Sequence, residues 1–242
     1  MSTSVASTSA AGETTTTTMR RDPTVRFRRV VGAIVLPLGI LFQVASNTMY
    51  SLMTMDGGSD LTGESALELF STHPTQARVT MLLAMIGSML IVAGVPAALR
   101  VLRPTRPRLS LVAGVLMMAG YIAYYGIVAS SGLEITLATM NIDAGAAIDA
   151  SQDDPIGFAF FPLFILGNIL GTFLLGLAVI LSKQLGWLAG ALIIAWPVLH
   201  ITGLIVGPEW FAVTGGTLEA IGLVMLAVVA LKTSDTDWAS RG

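Results

Sequence analysis

"VTMLLAMIGSMLIVAGVPAALRVLRPTRPRLSLVAGVLMMAGYIAYYGIVAS", from Val79 to Ser130, holds two apolar runs on either side of a short link crowded with Arg100, Arg103, Arg106 and Arg108. Each run, Val79 to Leu99 and Leu109 to Ser130, reaches the roughly 20 residues that a helix rising about 1.5 Å per residue needs to cross about 30 Å of hydrocarbon. Buried helices of a soluble core would be shorter and would keep a polar face, which these runs lack. The stretch therefore reads as a transmembrane hairpin whose turn lies in water.

Four further runs of the same kind flank it: Val30 to Met53, Ile156 to Leu181, Leu185 to Val206 and Trp210 to Leu231. The whole chain of 242 residues is 54% hydrophobic and 12% charged, well below the roughly 25% charged residues of a soluble domain. The expected fold class is all-α, a polytopic membrane helical bundle of six transmembrane helices, here called spans 1 to 6. It occupies residues 26 to 232, with a short cytoplasmic tail over 233 to 242. Ahead of it, residues 1 to 25 begin "MSTSVASTSAAGETTTTT", with neither the basic start nor the apolar middle of a cleaved signal peptide. They read as a disordered, Ser/Thr-rich cytoplasmic tail.

Charge is segregated along this frame. Arg20, Arg21, Arg26, Arg28 and Arg29 precede span 1; the four arginines above lie between spans 2 and 3; Lys183 joins spans 4 and 5; Lys232 and Arg241 follow span 6. The opposite links hold Arg78 against Asp56, Asp60, Glu64 and Glu68, then Glu134, Asp143, Asp149, Asp153 and Asp154, then Glu209. By the positive-inside rule both termini are cytoplasmic. The basic segments are explained by topology and anionic lipid head groups, with no nucleic-acid partner.

The two long acidic links differ in content. In "DGGSDLTGESALELFSTHPTQAR", Leu67, Leu69 and Phe70 sit in a short helical stretch expected to lie on the outer surface. In "GLEITLATMNIDAGAAIDASQDDP", Asp153 and Asp154 lack the alternating ligands and glycine of a calcium loop, so they read as solvated loop charge and no metal site is expected.

An internal repeat is also visible. "LVAGVLMMAGYIAYY" of span 3 aligns without gaps on "WLAGALIIAWPVLHI" of span 5, and "MIGSMLI" of span 2 on "ILGNILG" of span 4. Hairpins 2–3 and 4–5 would then form a parallel repeat about an axis near the membrane normal, with Ser88 equivalent to Asn168, Tyr124 to His200 and Gly114 to Gly190.

The stretch "HPTQARVTMLLAMIGSMLIVAGVPAALRVLRPTRPRLSLVAGVLMMAGYIAYYGI", with its His-Pro before span 2, its arginine-rich turn and its glycine-rich span 3, resembles a family of small integral membrane proteins common in actinobacteria. "LGNILGTFLLGLAVILSKQLGWLAGALIIAWPVLHITG" fits the same pattern. The resemblance implies a six-helix fold in a bacterial plasma membrane and carries no activity.

Against this apolar background a few polar residues stand out. Glu219 lies nine residues into span 6, roughly 14 Å deep and close to the bilayer centre. An acid there costs about 2.5 to 3.5 kcal/mol on insertion scales, so it must face the protein interior or water and find a partner. Gly215 and Gly222 share its face and let a neighbouring helix come close. His200 follows Pro197 on span 5 at a similar depth, within possible reach of Glu219 directly or through water. Gln43 and Asn47 on span 1, Asn168 and Thr172 on span 4, and Thr214 and Thr217 on span 6 complete a candidate intramembrane polar site, most of which would serve equally well as interhelical staples. Tyr121, Tyr124 and Tyr125 read as packing and interface aromatics.

Nothing points to catalysis. The chain has no cysteine, no nucleophile elbow, phosphate loop or zinc-protease motif, and no acidic pair at catalytic spacing. His73 lies in an outer link and His200 inside, so they cannot face each other as haem ligands. No cofactor is expected. Two readings remain: a membrane accessory or scaffold protein whose buried polar residues staple helices or meet a protein partner, and a transporter or sensor of a proton or small ligand built on Glu219 and His200. A dry, packed Glu219 favours the first and a water-connected one the second.

Overall fold

Prolines mark where three of the membrane helices begin. Pro74, Pro107 and Pro155 each stand in the first turn of a helix, where the missing N–H costs no hydrogen bond and the fixed φ suits the helix. The computed structural model describes residues 22–207 and 209–241; the Ser/Thr-rich stretch ahead of residue 22 lies outside the described residues. In chain order the helices are α1 Val25–Met53, α2 Gly63–Thr72, α3 Pro74–Leu102, α4 Pro107–Thr139, α5 Gly145–Asp153, α6 Pro155–Phe164, α7 Gly171–Ser182, α8 Trp187–Val206, α9 Trp210–Lys232 and α10 Asp235–Ser240. A π-helical turn, Ile165–Leu170, joins α6 to α7 into one span. Six helices are long and apolar enough to cross a membrane, and no strand occurs among the described residues. The chain is a multi-pass membrane protein.

The spans form a closed ring. α1 packs on α3, α3 on α4, α4 on the α6–α7 span, α7 on α8, α8 on α9, and α9 returns to α1. Ile91, Val95, Met117, Leu175, Ile193 and Leu223 fill the centre, none more than 1% exposed. Leucines such as Leu82 and Leu111 point outward. Lipid tails are as apolar as leucine, so burial alone does not hold such helices together; close backbone approach does. Glycines provide it. A Cβ on Gly39 of α1 would lie 2.8 Å from the Gly87 carbonyl of α3, and one on Gly94 would lie 2.6 Å from the Leu36 backbone nitrogen. Gly120 of α4 and Gly167 of the π turn face each other in the same way.

The acidic end is capped by protein rather than left as loops. α4 runs 33 residues, about 50 Å, and its final turns stand clear of the hydrocarbon. Glu134, expected in a link, is therefore on a helix. α2 starts with a capping box between Thr62 and Ser65 and docks on that extension: Leu69 and Phe70 are 4% and 1% exposed in a cluster with Met53, Ala77, Ile135 and Ala138. This corrects the surface-lying helix expected from Leu67, Leu69 and Phe70, because the partner that covers them belongs to a different link. α5 closes over α2, with the Gly63 N–H donating to Asp149 Oδ1 at 2.6 Å.

At the basic end Arg29 of α1 is 9% exposed and donates to Asp235 at 2.9 Å and to the carbonyls of Ala230 and Leu231 at 3.3 and 2.5 Å. It thereby neutralises the C-terminal dipole of α9. The segment expected as a short tail contains α10, whose Trp238 is 2% exposed in the main core.

Candidate functional site

Glu219 sits on the inner face of α9, 1% exposed. Its flanking glycines bring in α8: a Cβ on Gly215 would lie 2.9 Å from Trp196 Cα, and one on Gly222 would lie 2.6 Å from the Ala189 carbonyl. Neither carboxyl oxygen has a hydrogen-bond partner. The same holds for Asn168 Oδ1 and Thr172 Oγ1, at 2% and 0% exposure on the π turn and the first turn of α7. Tyr121 of α4 interacts with two of these groups, since its buried hydroxyl faces the Asn168 side chain and lies in the electrostatic field of Glu219.

The π turn explains how Asn168 and Thr172 come to point inward together. Pro162 removes one helical N–H inside α6, and the wider π turn that follows changes the phase of α7 relative to α6. Gly120 and Gly167 then let α4 and this turn touch, which places Tyr121 beside Asn168.

The remaining expected residues are placed elsewhere. Gln43, 7% exposed, donates to the Ala84 carbonyl at 2.9 Å and to Ser88 Oγ at 3.1 Å. It ties α1 to α3, as does the Ser46 hydroxyl donating to the Thr80 carbonyl at 2.9 Å. Asn47 is half-buried one turn farther along α1, and its backbone carbonyl accepts from the Ser51 hydroxyl. His200 is half-buried and stacks on Trp196, ring centroids 4.8 Å apart. Among the described residues no ion pair joins it to Glu219. Thr214 and Thr217 are exposed on the outer face of α9, away from the site.

Ser88 and Asn168, equivalent in the repeat, occupy similar surroundings. Each follows a glycine that closes on a glycine of the preceding span, Gly87 on Gly39 and Gly167 on Gly120, and each faces a polar side chain of that span, Gln43 and Tyr121. Gly114 and Gly190 both face the preceding helix of their hairpin, but Gly114 meets the Leu99 side chain and Gly190 the Gly176 backbone.

The sequence does not single out Tyr121 for the site, nor the acidic residues Asp60 and Glu209. Tyr124, one turn beyond Tyr121, stacks on Phe164 with centroids 4.8 Å apart and lies in the field of Asp60 and Glu209. The Tyr50 hydroxyl donates to Asp60 Oδ1 at 2.7 Å. Burial pushes the Glu209 carboxyl above its ordinary value, and the neighbouring Asp60 charge adds to that rise. Electrostatic interactions thus couple Asp60 and Glu209 to Tyr124, and Glu219 to Tyr121, without a hydrogen-bonded chain between the two pairs among the described residues. No family model, no curated protein and no solved structure matches the chain.

Proposed function

We propose that this membrane protein binds and releases a proton at Glu219, as a proton-linked sensor or carrier, in a bacterial plasma membrane with its basic end and both termini in the cytoplasm. One observation carries the reading: the Glu219 carboxyl is buried with neither oxygen hydrogen-bonded. A buried polar group without a partner costs about 1–3 kcal/mol, and a leucine at this position would avoid that cost. The retained acid therefore supports a role for its chemistry.

The competing reading is an accessory scaffold, and the 1% exposure of Glu219 favours it. Dryness, however, is common to a passive core and to a gated site when shut. Gln43 and Ser46 are bonded staples between α1 and α3, whereas Glu219 shares its lack of partners with Thr80 Oγ1 and Trp238 Nε1 and differs from them in carrying an ionisable carboxyl. The charges of Asp60 and Glu209, which act on Tyr124, support access from the end opposite the arginines.

The experiment compares the parent with Glu219→Gln and Glu219→Leu in proteoliposomes under an imposed potential, reading proton entry with an interior pH dye and stability by thermal melting. Glu219→Gln is expected to melt like the parent and to lose proton entry. Parent vesicles no leakier than empty ones, together with a Glu219→Gln protein unchanged in every pH response, would leave the scaffold reading in place.

A further inference from the structure

At the basic end a groove of about 790 Å³ opens between α1, α3 and α4, with α10 at its inner edge. Its floor is the stretch of α3 bearing Ala93, Pro96 and Ala97, whose small side chains leave the helix surface deep between its neighbours. Gly32 of α1 seats directly on Ala97, where a Cβ would come within 2.7 Å of the alanine methyl. The walls are apolar and open: Phe27 is 68% exposed and Leu111 58%. In a bilayer such walls face acyl chains.

The mouth has the opposite character. Arg28, Arg100, Arg103, Arg108 and Arg241 all line it, and among the described residues no carboxylate does. Several are held by the protein rather than left to range. Arg103 donates to the Arg241 carbonyl at 3.0 Å, Arg241 to the Val101 carbonyl at 3.3 Å, and the Arg100 guanidinium lies over the Trp238 ring, 5.6 Å from its centroid. Asp22 reaches Arg28 from outside the groove. Arg29, one residue on, is occupied with Asp235 and plays no part. Guanidiniums gathered around one opening concentrate positive charge there, and their forked donors match the oxygens of a phosphate.

From this juxtaposition we propose that the groove is a binding site for an anionic phospholipid of the adjoining leaflet, with its phosphate among the arginines and one acyl chain along the α3 floor between Phe27 and Leu111. The site is distinct from general attraction of a basic surface to a charged leaflet, because it needs the apolar channel as well as the charge. It stands independently of Glu219, which lies near the centre of the bilayer.

Native mass spectrometry of the delipidated full chain in detergent tests this with phosphatidylglycerol, phosphatidylcholine and inorganic phosphate as separate probes. Phosphatidylglycerol is expected to be retained as a single molecule per chain, with phosphatidylcholine held less well and phosphate not competing. Arg108→Gln should weaken retention about fivefold, the effect of one surface cation on an anionic lipid. Leu111→Trp fills the channel without touching the charge and should also displace the lipid. Both residues are exposed, so both variants should melt like the parent, and that melt is recorded beside the binding. Unchanged retention in Leu111→Trp, equal retention of the two lipids, or competition by inorganic phosphate would each overturn the lipid site, the last in favour of a soluble phosphate ligand.

Discussion

Gly39 and Gln43 lie one turn apart on α1 and meet the same neighbour, α3, by different means. Gly39 lets the backbones touch, since a Cβ there would lie 2.8 Å from both the Gly87 carbonyl and the Ile91 nitrogen. Gln43 adds hydrogen bonds to the Ala84 carbonyl and Ser88. Backbone cannot yield as a flexible side chain can, so Gly39→Ala should destabilise by about 1–3 kcal/mol. Gln43→Leu should cost only about 0.6 kcal/mol, the mean for side-chain hydrogen bonds between membrane helices. Unfolding in mixed micelles gives both numbers, and the reverse order would mean that polar contacts rather than glycines hold α1 to α3. Residues of this scale were unequally legible. Glu219 was conspicuous because a carboxylate breaks an apolar run on its own. Tyr121 was not, since tyrosine is ordinary in membrane helices and only Asn168 and Glu219, from two other spans, give it a role.

At the scale of elements, length and hydropathy located all six spans, because crossing a bilayer demands both. The ends of the helices escaped that reading. α4 continues past Ser130 to Thr139, where water permits polar residues and hydropathy no longer distinguishes helix from link. The docking of α2 depends on Ile135 and Ala138, which lie more than sixty positions from Phe70 and belong to another link. The π turn left no mark beyond Pro162 and the run of glycines. At the α2 cap water, and hence the ordinary hydrophobic effect, drives packing. Phe70→Ala should accordingly cost the cap about 3–5 kcal/mol while the spans keep their melting temperature. Ala66, 2% exposed on the buried face of α2, reports the change: Ala66→Cys should resist a water-soluble thiol reagent in the parent background and react once Phe70→Ala is added. Equal reactivity in the two backgrounds would show that α2 is not held by this ring.

For the molecule as a whole, the orientation proposed above has a direct check, made simple by a chain without cysteine. Ser59→Cys and Ala147→Cys, both at the acidic end, should react with an impermeant reagent in intact cells, whereas Thr105→Cys should react only after permeabilisation; labelling of Thr105→Cys in intact cells would invert the protein. The ring itself has a further property that follows from Arg29. Its partners Ala230 and Asp235 lie 201 and 206 positions later in the chain. At ribosomal rates of about 5–20 residues per second, roughly 10 to 40 seconds separate synthesis of this arginine from synthesis of the groups that receive it. The first helix therefore enters the bilayer as an open edge and is sealed by the last one made. Until the Ala230 and Leu231 carbonyls and then Asp235 have been made, Arg29 stands unclasped at the membrane surface.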